Sequence, residues 1–228
     1  MKDLLKDFAA ILFPELCITC NAKLIADEKF ICMSCLYHLP ETKSYLQKEN
    51  QAEKRFWGKF DIVHAHSFFR YVKDSDFHRL LVELKYKECK ELGEYLGDYY
   101  AGKLKQAGVF EDVDYIVPVP LHRKRHKKRG YNQSEWIAKG MSKVLGKTLI
   151  PDNLYRKSAN STQTKRGVYE RWENVAGIFE LKNPMVFADK HLLLVDDVLT
   201  TGSTITACAH ALHAAENVRI SVATLAIA

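Results

Sequence analysis

Two groups of residues in this 228-residue chain have types and spacings that can do chemistry. Cys17, Cys20, Cys32 and Cys35 form two Cys-x-x-Cys pairs with a short gap between them. Each pair places two thiols on one tight turn, and two such turns can close a tetrahedral shell of four sulfurs about 2.3 Å from a Zn²⁺ ion. Iron–sulfur ligation, disulfides and a thioredoxin-like redox pair are the alternatives; the paired spacing favours structural zinc. A closed four-sulfur shell has no open coordination position, so such a metal contributes to folding and not to catalysis. His38 is a substitute ligand to consider but reads as a surface histidine, and Cys89 and Cys208 read as packing residues.

The second group is the stretch HLLLVDDVLTTGST, residues 191–204. An apolar strand delivers Asp196 and Asp197 at its carboxyl end, where open α/β sheets bind ligands. Two such acids can accept hydrogen bonds from vicinal ribose hydroxyls. Thr200, Thr201, Gly202, Ser203 and Thr204 then offer successive backbone N–H groups, hydroxyls and a helix amino terminus, which together make an anion cradle. Acids that cap a helix beside an ordinary turn would account for each part alone. The unbroken order of strand, paired acids, small-residue turn and helix favours a phosphorylated sugar.

Charge marks a third stretch. Between Asp114 and Glu135 there is no acid, while Arg123, Lys124, Arg125, Lys127, Lys128 and Arg129 carry six positive charges, as many as the whole formal excess of +6. An excess gathered at one place implies an anionic partner met there, phosphate, pyrophosphate or nucleic acid; a solvated basic loop is the plainer alternative. Arg129 and Gly130 stand where a cation and a close backbone approach can hold pyrophosphate. Tyr131 and Trp136 could stack on bases, although Trp136 reads rather as core. A polar loop over about 156–174 carries Gln163, Arg166 and Arg171, candidates to close over bound substrate or, more plainly, solvated loop residues.

These groups need elements to position them. With 47% hydrophobic and 27% charged residues, the composition is that of a globular chain with one main core. No apolar run approaches the roughly 20 residues of a membrane span. Asp3 and Asp7 interrupt the amino terminus, which argues against a secretory signal, and the expected location is the cytoplasm. Residues 3–13 have helical spacing that suits packing on the chain's own domain better than a membrane surface. Residues 1–45 read as a helix plus a four-cysteine ribbon, 41–59 as a charged linker, and 60–228 as a second domain. In that domain strands at 62–71, 114–120, 191–197 and 219–227 alternate with helices at 75–86, 92–106, 133–144 and 204–214. That order predicts an α/β fold with a mainly parallel sheet covered on both faces.

VDDVLTTGST resembles the PRPP loop of the type I phosphoribosyltransferases. Together with LKYK at 84–87, PVPLHRKRHKKRGYNQ, the QT…ERWEN segment and the amino-terminal four-cysteine ribbon, it resembles the ComF family over about residues 8–227. The resemblance implies a type I phosphoribosyltransferase-like, Rossmann-like domain bearing a zinc ribbon. It implies that Asp196 and Asp197 bind ribose, residues 200–204 the 5′-phosphate, and Arg129 with Gly130 the pyrophosphate of PRPP, which brings Mg²⁺. Asp196, Asp197 and Arg129 would then act in catalysis by electrostatic stabilisation. The implied activity is phosphoribosyl transfer to an unnamed acceptor, linked to natural competence and DNA uptake. The alternative is a non-catalytic module that senses PRPP or a nucleotide and holds single-stranded DNA, or meets DNA-uptake proteins, through Arg123, Lys124, Arg125, Lys127 and Lys128. Val168 and Trp172 depart from the family pattern, standing where arginines are common.

Overall fold

The computed structural model describes residues 14–25, 27–86, 89–157 and 177–228. Its sheet is built around β6 (His191–Leu199), whose run Leu192, Leu193, Leu194 and Val195 is fully buried. A run with no polar alternation can be accommodated only where both faces of a sheet are covered. β6 pairs in parallel with β2 (Tyr115–Pro118) on one side and with β7 (Arg219–Ile227) on the other. β1 (Ala65–Arg70) and β3 (Thr148–Leu149) complete five parallel strands in the order β1-β7-β6-β2-β3. The expected parallel α/β architecture is thus the one observed.

The two-residue period of β6 sorts the core into two layers. Leu193 and Val195 pack with α3 (His78–Tyr86), α4 (Lys90–Gln106) and α6 (Gln133–Leu145), while Leu192 and Leu194 pack with α7 (Ser203–Leu212). An antiparallel pair, β4 (Leu154–Arg156) and β5 (Phe179–Leu181), closes the α7 layer. α4 and α6 touch backbone to backbone. A Cβ on Gly97 would stand 2.2 Å from the Ile137 carbonyl oxygen, and one on Gly140 would stand 2.1 Å from that of Glu94.

The cysteine ribbon is short and turn-rich, with antiparallel bridges between Leu16 and Lys23 and between Lys29 and Ile31, then α1 (Met33–Tyr37). Cys17, Ile31, Cys32, Leu36 and Leu39 share one apolar cluster with Phe68 and Leu80, so the ribbon packs onto the α3/α4 layer. Residues 41–59 are not a linker. Thr42 N–H donates to the Phe68 carbonyl at 2.9 Å and Arg70 N–H to that of Pro40 at 2.9 Å, which covers the edge strand β1. A 3₁₀ turn (Ser44–Leu46) and α2 (Gln51–Lys54) follow, and Phe56 is fully buried. The expected helix at 3–13 and the loop residues Gln163, Arg166 and Arg171 lie outside the described residues.

Replacing either Gly97 or Gly140 by Ala drives a methyl group into the facing helix backbone. Each change is expected to lower stability by about 1–3 kcal/mol, read as a lower urea midpoint at unchanged m value. An unchanged midpoint would contradict the close helix contact.

Candidate functional site

β2 and β6 are neighbours, yet the chain leaving β2 reaches α6 on one face of the sheet and the chain leaving β6 reaches α7 on the other. Diverging connections open a crevice at the carboxyl ends of the two strands, where open α/β sheets bind ligands. A cleft of about 480 Å³ lies there, bordered by Lys85, Arg125, Arg129, Ser134, Arg156, Asp196, Asp197, Thr200 and Thr204.

The two acids are held differently. Asp196 Oδ1 accepts hydrogen bonds from Ser134 Oγ at 2.9 Å and from the Asp197 backbone N–H at 2.9 Å. Asp197 Oδ2 pairs with Lys85 Nζ at 3.1 Å. Burial, and after it the charge of Asp197, pushes the Asp196 carboxyl up to about 7, against the hydrogen bonds from Ser134 and the Asp197 N–H and the charge of Lys85.

Beyond β6 the chain turns at Gly202, whose φ of +80° lies in the left-handed region, and enters α7 with no cap from the Gly202 position itself; the Ser203 N–H makes only a long 3.4 Å bond to Thr201 Oγ1. The turn borders a small cavity of about 40 Å³, lined by Asp196 and residues 198–205. Thr201 Oγ1 and Ser203 Oγ stand 2.8 Å apart at its rim. The turn is braced from outside. Lys59 Nζ donates to the Thr201 carbonyl at 2.8 Å, and a Cβ on Gly202 would come 2.9 Å from Phe56 Cε1. The stretch that reads as a linker therefore supports the turn at residues 200–204.

The basic run is helical, α5 (Arg123–Arg129), and none of its residues is buried. His122 caps it by accepting from the Lys124 N–H at 3.1 Å. Like charges four residues apart oppose such a helix. Arg125 and Arg129 border the cleft. Arg129 donates to Gln133 Oε1 at 2.9 Å and lies 5.3 Å from the Tyr86 ring centroid. Gly130 terminates α5 and lines neither cavity. Tyr131 is buried and donates to the Leu84 carbonyl at 2.5 Å, so it offers no face for stacking. Trp136 is half-buried, with Lys139 Nζ 4.4 Å and Lys90 Nζ 5.0 Å from its ring.

Nothing in the sequence alone points to Lys85, Ser134 or Arg156. Lys85 falls within the LKYK stretch, and Ser134 opens α6 just after the basic run; neither type declares a partner. Arg156 ends β4 half-buried, 5.4 Å from the Phe179 ring. Burial, and then the nearby Arg125, lowers its proton affinity.

The four ribbon cysteines also converge, each sulfur within 4.8 Å of the others. Cys20 and Cys32 are 3.7 Å apart. A tetrahedral shell with bonds of about 2.3 Å has edges of roughly 3.8 Å, so the set fits zinc. Burial and the neighbouring sulfurs push the Cys32 and Cys35 thiols up. Burial also acts against Cys17, but backbone N–H groups of Cys20, Cys32 and Thr19 outweigh it and bring that thiol down to about 7. Crowded thiols that resist joint ionisation are what a divalent cation relieves. His38 is exposed, with Nδ1 2.7 Å from the Ser34 carbonyl, and Cys208 is fully buried packing.

A family model described as the phosphoribosyl transferase domain matches residues 108–227, over half of the chain. The chain belongs to that family. It is similar to the DNA utilization protein YhgH of Escherichia coli strain K12, 37% identical over 92 residues and covering 40% of each chain. It is also similar to competence protein F of Haemophilus influenzae, 40% identical over 96 residues and again 40% of each chain. Competence protein ComFC of Bacillus subtilis is 32% identical over 98 residues, 42% of this chain and 38% of that one. With these relatives, the chain is a ComF-family protein with a phosphoribosyltransferase-like domain. The matches span about two fifths of the relatives' length. Lys85, Phe56 and Lys59, which serve the cleft, precede the residues the family model matches.

The raised Asp196 carboxyl has a consequence for stability. A folded-state value near 7 against 3.8 unperturbed means that its ionisation erodes stability as pH climbs from about 4 to 7. Asp196→Asn keeps an oxygen acceptor for Ser134 and removes that cost. With cleft water screening part of it, the variant is expected to exceed the wild type by on the order of 1–2 kcal/mol at pH 8 and to lose that advantage near pH 4. Urea unfolding at the two pH values tests this, and a variant no more stable at pH 8 would contradict it.

Proposed function

We propose that the cleft binds PRPP with Mg²⁺ and transfers its phosphoribosyl group to an acceptor with release of pyrophosphate. The observation that carries this reading is the pair Asp196 and Asp197 at the strand divergence, followed directly by the glycine turn into α7. In this reading the two carboxylates accept hydrogen bonds from the ribose hydroxyls, and Thr200, Thr201, Gly202, Ser203 and Thr204 receive the 5′-phosphate. Arg129, with Arg125 and Lys85 beside it, faces the pyrophosphate, and Gly130 lets the chain turn away at that point. An acceptor nucleophile forms its bond to ribose C1 while the bond from C1 to the pyrophosphate oxygen breaks, and the bonding electrons leave with pyrophosphate. Asp196 and Asp197 offset the positive charge that grows on the ribose, and the three cations offset the negative charge of the leaving group. The carboxylate oxygens suit a hard cation such as Mg²⁺, which when bound neutralises pyrophosphate. Arg156 has no carboxylate partner among the described residues, which favours an acceptor that carries negative charge.

The zinc ribbon is proposed as a structural support. Cobalt substitution reads it directly through thiolate-to-cobalt charge transfer, and absence of that band on cobalt uptake would sink it. The exposed cations of α5, and relatives named for DNA utilization and competence, support single-stranded DNA as a partner beside the cleft. Replacing Lys124, Lys127 and Lys128 by Ala is expected to weaken single-strand binding and flatten its salt dependence by a slope of about 0.7 per lost phosphate contact. An unchanged slope would remove α5 from that role.

Calorimetric titration of PRPP with Mg²⁺ tests the pocket. Saturable binding by the wild type, and its loss in a folded Asp196→Asn, Asp197→Asn variant, is the expected result. Absence of heat and of any thermal shift in the wild type would overturn the reading; binding without pyrophosphate release across nucleobases and nucleic acids would leave the sensing alternative.

A further inference from the structure

A second cluster lies at the other end of the sheet. His64 and His66 stand at the amino-terminal end of β1, whereas the cleft opens at the carboxyl ends of the parallel strands. Two residues apart on extended chain, their side chains share a face, with ring centroids 6.1 Å apart and planes 19° from parallel. Glu53 reaches them from α2, where its position is fixed by a reciprocal cap. Asn50 Oδ1 accepts from the Ala52 and Glu53 N–H groups at 2.9 and 3.2 Å, and Glu53 Oε2 accepts from the Asn50 N–H at 3.1 Å. The other oxygen, Oε1, lies 3.8 Å from His64 Nδ1. A ligand atom from each of the three residues stands within 4.8 Å of the other two. Asn50 Nδ2 is 3.5 Å from His66 Nδ1, too far to commit that nitrogen's lone pair to a strong hydrogen bond. The cluster borders a cavity of about 760 Å³, whose wall also includes Asp112.

We propose that Glu53, His64 and His66 form a second metal site, taking a divalent cation of the zinc, nickel or cobalt class. Two imidazoles and one carboxylate suit borderline cations, whereas Mg²⁺ and Ca²⁺ favour shells of oxygen. The site is therefore chemically distinct from the metal that accompanies PRPP and from the four-thiolate set. Bonds of about 2.1 Å at tetrahedral angles place ligand atoms roughly 3.4 Å apart. The half-exposed His64 can turn toward Glu53 to close the difference, while the buried His66 is already fixed. Three protein ligands leave a further position open to the cavity, so a water or a small anionic ligand completes the shell.

The test uses the full chain and Co²⁺ as the probe. The wild type is expected to take two equivalents, one with intense thiolate-to-cobalt charge transfer and one with only weak d–d absorption. In His64→Ala and Glu53→Gln the first equivalent remains and reports a folded ribbon, while the second is lost. A second equivalent retained by either folded variant, or absent from the wild type, overturns the proposal. Should a variant fail to fold, wild type whose cysteine site is first filled with zinc decides. Uptake of one cobalt equivalent without charge transfer supports the site, and no uptake overturns it.

Discussion

Two adjacent carboxylates at the end of a buried strand repel each other, and the structure around them is arranged to keep both in place. The strand period turns Asp197 toward the α3 layer, where Lys85 meets it at 3.1 Å, and leaves Asp196 between Ser134 and the start of α7. One acid is matched by a cation and the other by hydrogen-bond donors in a partly dry setting, which is why Asp196 resists ionisation. Both arrangements depend on elements distant in sequence arriving at the carboxyl end of β6. The close α4–α6 contact through Gly97 and Gly140 sets the height of α6 and with it Ser134.

The chain before the matched phosphoribosyl transferase segment belongs to the cleft as much as the segment itself does. Lys85 comes from α3, and Phe56 and Lys59 brace the turn at Gly202 from behind. The ribbon shares its apolar interior with the same helical layer. A turn braced by Phe56 and Lys59 at a helix amino terminus, with cations across the cleft, suits the phosphate groups of a phosphorylated ribose, and the two acids suit its hydroxyls.

What the sequence disclosed was whatever lies close together along the chain. The strand, acids, turn and helix of residues 191–212 are consecutive, so their chemistry could be read from order alone, and the two Cys-x-x-Cys turns likewise. Lys85, Ser134 and Arg156 stayed silent because each acquires meaning only from a partner far away in sequence, and Ser and Arg are common surface residues. Residues 41–59 look like a linker because their many charges hide one decisive aromatic, Phe56. The basic run gave no helical signal since it has no apolar face; its helix is defined by the His122 cap and the Gly130 stop. Tyr131 sits beside cations in sequence but inside the core in space, so proximity along the chain misled there.

The proposed chemistry needs the ribose at Asp196 and Asp197 and the 5′-phosphate at the turn of residues 200–204. A crystal structure of the protein grown with PRPP and Mg²⁺ tests this most directly. The expected result is the 5′-phosphate against the first turn of α7, the ribose hydroxyls on the two carboxylates, and the pyrophosphate toward Arg129. Ligand found elsewhere, or an empty cleft at saturating PRPP, would contradict it.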